Sequence, residues 1–452
     1  MCTNLHEQLA TIQTEYISYS YPIASVALND LFAKSDAYQG ERFFWQSADK
    51  KVVLLGLGQL EVLQGKTTEE IQAFQTYFFE HSTILPTEVY QEPLLFGGFA
   101  FDSSGKTESF WNELEKGYFQ VPFILFSQQE EQCIVTLTVR NQEHVETVFQ
   151  QLEEQVCALL TLPPSEQATP APDIQATELG IDPWLTLVDE SVQAIQAGAL
   201  KKVVLARQMK LSTTGKFDSA VILNHLLDQQ PNTYVFVLEG ATRCFIGATP
   251  ERLIEGTPDY FATASVAGSI KRGTTLAEDE RLGQSLLNDA KNSHEHGLVV
   301  NRIEQELAPF IDELTLGARR LLKNRDIQHI YLPLFGKRKK GTHLLQCVQT
   351  LHPTPALGGE PREAAMQWLA EHEVSGRGLY GAPIGWLSLK EDIGEFAVGI
   401  RSGVFSEDEG LLYAGCGIVG ESIAKEEEKE TRMKFQPMLR GVKGIESSKS
   451  YD

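Results

Sequence analysis

Apolar positions along the chain follow two rhythms. Trp184, Val188, Val192 and Ile195 are spaced three and four residues apart, which places them on one face of a helix. Asp182 suits the N-cap of that helix, Pro183 its first turn and Gly198 its end. Further helices are expected over 218–229, about 298–310 and 361–371. Thr275-x-x-Glu278 reads as a capping box opening a helix towards Asn288, and a last helix is expected from an N-cap at Ser422 to about Leu439. Between these lie short apolar runs with strand character, at 202–206, 234–238, 243–246 and 260–264. The runs 397–404 and 411–414 flank an acidic turn and predict a hairpin. The first 160 residues add strands at 51–57, 122–126 and 133–139, and Gly97-Gly98 suggests a strand with close backbone approach. Strands joined mostly by hairpins and interspersed with helices predict an α+β fold.

One stretch, 161–178, breaks the pattern. It is rich in Pro, Ala, Ser and Thr and reads as an exposed connector. It separates an N-terminal part, 1–160, from a larger part, 179–445, where all the candidate chemistry lies. The last residues, 446–452, are expected to be a disordered tail. A break in sequence need not divide the fold, because sheets can be shared across such a connector.

Composition narrows the functional classes. With 42% apolar and 22% charged residues the chain is globular. Its 39 Lys and Arg against 61 Asp and Glu give a net charge of −22. That argues against nucleic acid and anionic membrane surfaces as partners, since both need a basic face. No obligate partner is evident. The polar N-terminus and the lack of a long apolar run give no sign of a signal peptide or membrane span. The six cysteines are scattered, which suits a reducing cytoplasm better than a disulfide framework or zinc site.

Gly415-x-Gly417-x-x-Gly420 is a literal dinucleotide fingerprint between a strand and a helix. Too little chain follows it to complete a second parallel strand, so its glycines are read as places of close backbone approach. Four other segments point to chemistry. KVVLAR at 202–207 sets Lys202 beside an apolar strand, where desolvation favours a neutral amine that can act as a base. GATPERL at 247–253 holds Glu251 after a proline, where it could serve as a general acid. KNSHEH at 291–296 contributes Glu295, and the last helix contributes Glu427 and Glu430, which share one face at a spacing of three. Three carboxylates from two helices are the hard oxygen ligands that Mg²⁺ takes, together with a substrate anion. Each segment alone is as easily an ordinary surface or strand-end feature. The basic run 337–340 reads as a solvated loop.

In combination these segments resemble the chorismate-utilising enzymes, the family of isochorismate, salicylate, anthranilate and aminodeoxychorismate synthases. The resemblance runs from about Pro183 to Leu439 and includes LHPTPALGG at 351–359, Arg401-Ser402 and AGCGIV at 414–419. Arg42-Phe43-Phe44-Trp45-Gln46 and Gly97-Gly98-Phe99 extend it to the longer isochorismate synthases of menaquinone pathways. It implies a single large fold of largely antiparallel sheets packed together and flanked by helices. It implies Mg²⁺-dependent conversion of chorismate to isochorismate, by water addition at C2 and loss of the C4 hydroxyl. In that reading Lys202 is the base that activates water and Glu251 the acid that protonates the leaving hydroxyl. Glu295 and Glu430 hold Mg²⁺, with Glu427 acting through water. Arg401 and Tyr380 bind the enolpyruvyl carboxylate, and the backbone at Gly415 and Gly417 meets substrate. Ala267, Gly268 and Ala356 are further substrate-side positions, and His352 matches a family histidine near the ring. Asn292 stands where the family usually has a further acid. Ala267 stands where aminodeoxychorismate synthases often carry a nucleophilic Lys, and anthranilate synthases lack the base matched by Lys202. Salicylate synthases share the Lys and Glu pair and are the rival; the LHPTPA segment favours isochorismate synthase.

Overall fold

The computed structural model describes residue 9 and residues 11–129, 132–163 and 173–444. The middle of the expected connector and the expected tail lie outside the described residues. Among those described, a 13-stranded and a 10-stranded sheet dominate, both almost entirely antiparallel. The α+β class and the packed antiparallel sheets expected from the sequence are what the chain forms.

Both sheets draw strands from each side of the connector. In the larger sheet, Arg42–Gln46 pairs with Tyr234–Glu239, and the order continues through Cys244–Thr249, Ser402–Phe405 and Glu409–Ile418 to Lys202–Ser212. In the smaller, Leu94–Phe99 pairs with Pro383–Ser388, followed by Gly394–Val398, Arg252–Gly256, Tyr260–Lys271 and Ile327–Arg338. Rings from the two sheets meet between them: Phe43 stacks on Phe96 at 4.4 Å, and Trp45 and Phe236 fill the same layer. Each such ring removed from water stabilises by roughly 1.5–3 kcal/mol. Helices cover the outer faces. Ala424–Lys443 sends Phe435 and Met438 into the core over the larger sheet, and Ala290–Leu307 sends Val299, Ile303 and Leu307 over the smaller. Among the described residues no helix is long and apolar enough to cross a membrane.

Several elements differ instructively from their sequence reading. The helix expected from Asp182 runs Ile181–Gln196, and its N-cap is Gly180 in the left-handed region, with φ 56°. The last helix takes Ile423 as its N-cap, while the Ser422 hydroxyl accepts instead from the Val419 N–H. The basic run 337–340 is only partly solvated: Arg338 ends a strand, pairs with Asp392 and lies over the Phe261 ring. The largest difference concerns the expected strand 397–404. It is two strands in two sheets, Gly394–Val398 in the smaller and Ser402–Phe405 in the larger. The chain crosses between the sheets at 399–401, and Arg401 sits at the crossing with φ 51°. A neighbouring segment makes the same passage: Cys244–Thr249 lies in the larger sheet, Arg252–Gly256 in the smaller, and Pro250-Glu251 links them. The two crossings are tied together, since Ala248 N donates to Arg401 O at 3.1 Å and Val398 N to Glu251 O at 3.0 Å.

Candidate active site

At these paired crossings the sheets part and leave a cleft of about 300 Å³. The crossings contribute Glu251 and Arg401. The strand Lys202–Ser212 contributes Lys202 and Val204, and the strand beside it contributes Gly415 and Gly417. The last helix adds Glu427, Glu430 and Lys434, and the smaller sheet adds Gly268, Ser269 and His329. Ala356, Leu357 and Tyr380 close another side.

The glycines of the apparent dinucleotide fingerprint now have a local explanation. Gly415 and Gly417 lie in the antiparallel strand paired with the Lys202 strand. A Cβ at 417 would come within 2.6 Å of Lys202 Cε, and one at 415 within 3.1 Å of the Tyr380 hydroxyl. Glycine there makes room for two cleft side chains. Gly268, with φ 75°, occupies a bulge between Ala267 and Ser269 that turns the strand at the cleft.

Burial governs the electrostatics. The Glu251 carboxyl is buried, and desolvation pushes it up to about 7 against the opposing pull of Arg401, Lys202 and Lys434. Arg401 is pulled below its ordinary value by burial, and among the described residues no carboxylate lies within ion-pair distance of it. Tyr380 is pushed up to about 12 by burial, so it is a neutral donor, and its ring stacks on Tyr413 at 5.0 Å. His329 shares a 2.8 Å hydrogen bond with Ser269 and is held down at about 3 by burial and by Arg401, so its ring is neutral. Lys434 Nζ pairs with Glu430 at 2.6 Å and donates to the Gly415 carbonyl at 2.8 Å. Glu430 is accordingly lowered, by Lys434 first, whereas Glu427 is raised by burial and by the Glu430 charge.

The cleft thus gathers Lys202, Glu251, Arg401, Tyr380, Gly415, Gly417, Gly268, Ala356, Glu427 and Glu430 of the sequence-derived set. Glu295 lies on the helix Ala290–Leu307, which supplies Asn292 and Val299 to the cleft; its side chain is outside the described residues. Ala267 pairs with Ile330 in the smaller sheet, and its side chain is likewise outside them. His352 is not on the cleft wall. Its buried ring bonds through Nε2 to the Phe101 carbonyl at 3.0 Å and meets the Phe101 ring edge-on, and burial holds it at about 4. It anchors the start of the loop that carries Ala356 and Leu357. Among the described residues the histidine lining the cleft is His329, which the sequence reading passed over, as it did Lys434. Lys434 was detectable as the residue four after Glu430 on one helix face; His329 sits inside a strand whose facing depends on distant partners.

Among the described residues no three His, Cys, Asp or Glu side chains form a metal cluster. Glu427 and Glu430 nonetheless fit a hard cation. They are close enough for one charge to raise the other, and both face the cleft.

A family model described as "Chorismate binding enzyme" matches residues 3–443. The chain is 34% identical to isochorismate synthase MenF of Bacillus subtilis over 455 residues, covering 97% of this chain and 96% of that one. It is 34% identical to the salicylate biosynthesis isochorismate synthase of Pseudomonas aeruginosa, over 78% of this chain and 75% of that one. The solved structure of MenF, the menaquinone-specific isochorismate synthase from Escherichia coli, superposes with TM-score 0.81 at 25% identity, covering 97% and 98% of the two chains. Anthranilate synthase component I from Streptococcus pneumoniae shares the fold, with TM-score 0.73 at 18% identity over 95% and 93%.

Proposed function

The chain belongs to the chorismate-binding enzyme family, and within it we propose that the protein is an isochorismate synthase that converts chorismate reversibly to isochorismate. The supporting observation is the cleft itself, which gathers Lys202 from one strand and Glu251 and Arg401 from the two sheet crossings. Water adds at C2 of the ring, the double bonds shift, and the C4 hydroxyl departs as water. Lys202 takes the proton from the attacking water. Glu251 gives its proton to the departing oxygen, and a carboxyl near 7 is suited to that, being substantially protonated at neutral pH. Arg401 and the Tyr380 hydroxyl hold the enolpyruvyl carboxylate, and Gly415 and Gly417 let the backbone approach the ring. Ala356, Gly268 and the backbone near Ala267 shape the substrate side.

Glu430, with Glu295 from the facing helix, would hold Mg²⁺, and Glu427 would act through water. When bound, the ion supplies the positive charge that lets a dicarboxylate rest against an acidic helix. Lys434, paired with Glu430, keeps that carboxylate ionised and aimed at the cleft.

The pathway proposed is menaquinone synthesis. The Bacillus relative matches the chain through its N-terminal part, and so does the Escherichia coli structure described as menaquinone-specific. A cytoplasmic location is part of the proposal and is supported by the free cysteines, three of them buried. Purified protein incubated with chorismate and Mg²⁺, with products separated by chromatography, should yield isochorismate and lose activity on chelation. Salicylate plus pyruvate as the main product would replace this reading with salicylate synthase.

A further inference from the structure

A second, much smaller chamber lies directly behind the cleft. Pro250, His329 and Arg401 line both spaces. The chamber measures about 20 Å³, and Gln230, Asn324 and Asp326 are among its other lining residues. That volume suffices for one water molecule, which needs roughly 10–15 Å³ and two to four polar partners. The walls present an unanswered pair: Gln230 Nε2, a donor, and Asn324 Oδ1, an acceptor, are both buried without a hydrogen-bond partner among the described residues. Their residues are 6% and 8% exposed, so bulk water does not satisfy them. Leaving both unmet forfeits the hydrogen bonds each would make to water. A donor and an acceptor facing one small space are what a single water satisfies, since it accepts and donates at once.

We propose that this chamber holds one ordered water that accepts from Gln230 Nε2 and the Arg401 guanidinium and donates to Asn324 Oδ1, so that Gln230 and Asn324 are positioning residues for Arg401. Asp326 faces the same chamber and acts on Arg401 electrostatically, while its carboxylate pairs with Arg440. Arg401 presents a problem that such a water solves. Its backbone is in the left-handed region at the sheet crossing, and no carboxylate lies within ion-pair distance among the described residues. A carboxylate in direct contact would orient the guanidinium but compete with the substrate's own carboxylate. A water bridge orients it and leaves its charge available. Asn324 is fixed for the task, its N–H donating to Ile327 O at 3.0 Å.

The role in substrate binding rests on the reading of Arg401 given above; the water site itself does not. The test is a crystal structure of the full chain at a resolution that shows ordered water, paired with kinetics on chorismate. The expected result is one water within hydrogen-bond distance of Gln230 Nε2 and Asn324 Oδ1, absent in Asn324→Leu. That variant should raise KM for chorismate about tenfold with kcat essentially unchanged, the size expected for one lost hydrogen bond to a charged group. Gln230→Met should do the same and serves if Asn324→Leu does not fold. A dry chamber in the wild type overturns the proposal. A water that is present but whose loss leaves KM unmoved overturns the positioning role. If the protein turns over no chorismate at all, the functional reading fails, and the crystallographic result still decides the water.

Discussion

Glu251, at a sheet crossing, and Glu395, on the strand Gly394–Val398, are two glutamates that burial treats alike. They are 9% and 4% exposed, and desolvation pushes each carboxyl up to about 7. Their surroundings differ. Glu395 accepts from the Tyr234 hydroxyl at 2.9 Å and pairs with Arg252 at 2.9 Å, and Arg252 Nε donates to Tyr234 at 2.7 Å. Those three groups satisfy one another, and Arg252 also reaches Glu255. Glu251 faces a cleft, and the cations that act on its carboxyl, Arg401, Lys202 and Lys434, stand around the same cleft. A raised pKa therefore marks burial and not function. What distinguishes a working acid is a carboxyl whose hydrogen-bonding capacity points into a space where a substrate fits.

The comparison breaks most sharply in turnover. Glu251→Gln should lower kcat about 10²–10⁴-fold, as should Lys202→Ala, with the fold intact by circular dichroism. Glu395→Gln should leave kcat close to wild type, because Glu395 is not on the cleft wall. Equal losses from the two Glu→Gln variants would show that the Glu395 trio is part of the chemistry. The order reverses for stability. In Glu395→Gln, Arg252 loses its buried anion but keeps Glu255 at 2.9 Å. The expected cost in urea denaturation is about 2 kcal/mol, less than the 3–5 kcal/mol of a fully stranded buried charge. Glu251→Gln should cost nothing or stabilise, since it removes a carboxyl that burial disfavours in its charged form.

Much of this contrast is legible in the sequence. Lys202, Glu251, Glu427 and Glu430 stand in local patterns, and so did most helices, whose periodicity and caps are properties of neighbouring residues. What could not be read is where the sheets exchange strands. The run 397–404 is apolar apart from Arg401 and Ser402, and nothing local announces that Arg401 turns it from one sheet into the other. That break is set by which strands already lie alongside: Ala397 pairs with Arg252 and Ser402 with Gly247, so two crossings specify each other. His329 escaped for the same reason. Its strand runs Ile327–Arg338, and which of its residues faces the cleft is decided by register with Tyr260–Lys271. The displacement of His352 from the cleft wall is also non-local, since its partner is Phe101, far away in sequence.

The smallest effect to separate the two glutamates lies in the pH dependence of stability. An unfolded glutamate titrates near 4.3, whereas both of these titrate near 7 when folded. Between those values the folded protein holds protons that the unfolded chain has released. Stability from each group is therefore present below about 4.3, falls as pH rises, and is gone above about 7, with a slope of at most about 1.4 kcal/mol per pH unit per group. Buried histidines act in the opposite sense. His296, His329 and His352 are held at about 4, 3 and 4, so the folded state refuses protons that the unfolded chain accepts below about 6.5. The wild-type profile mixes both contributions, and the informative quantity is the difference between wild type and each variant. Subtracting Glu251→Gln or Glu395→Gln should expose one falling carboxyl contribution between about pH 4.3 and 7, of similar shape for both. Saturating substrate should then move only one of them. A ligand carboxylate on Arg401 weakens the cation that favours ionised Glu251 and shifts its step to higher pH, while the Glu395 step, enclosed by Arg252 and Tyr234, stays in place. A shift of the Glu395 step on substrate binding would mean that the two carboxyls are coupled and that the Glu395 trio belongs to the site.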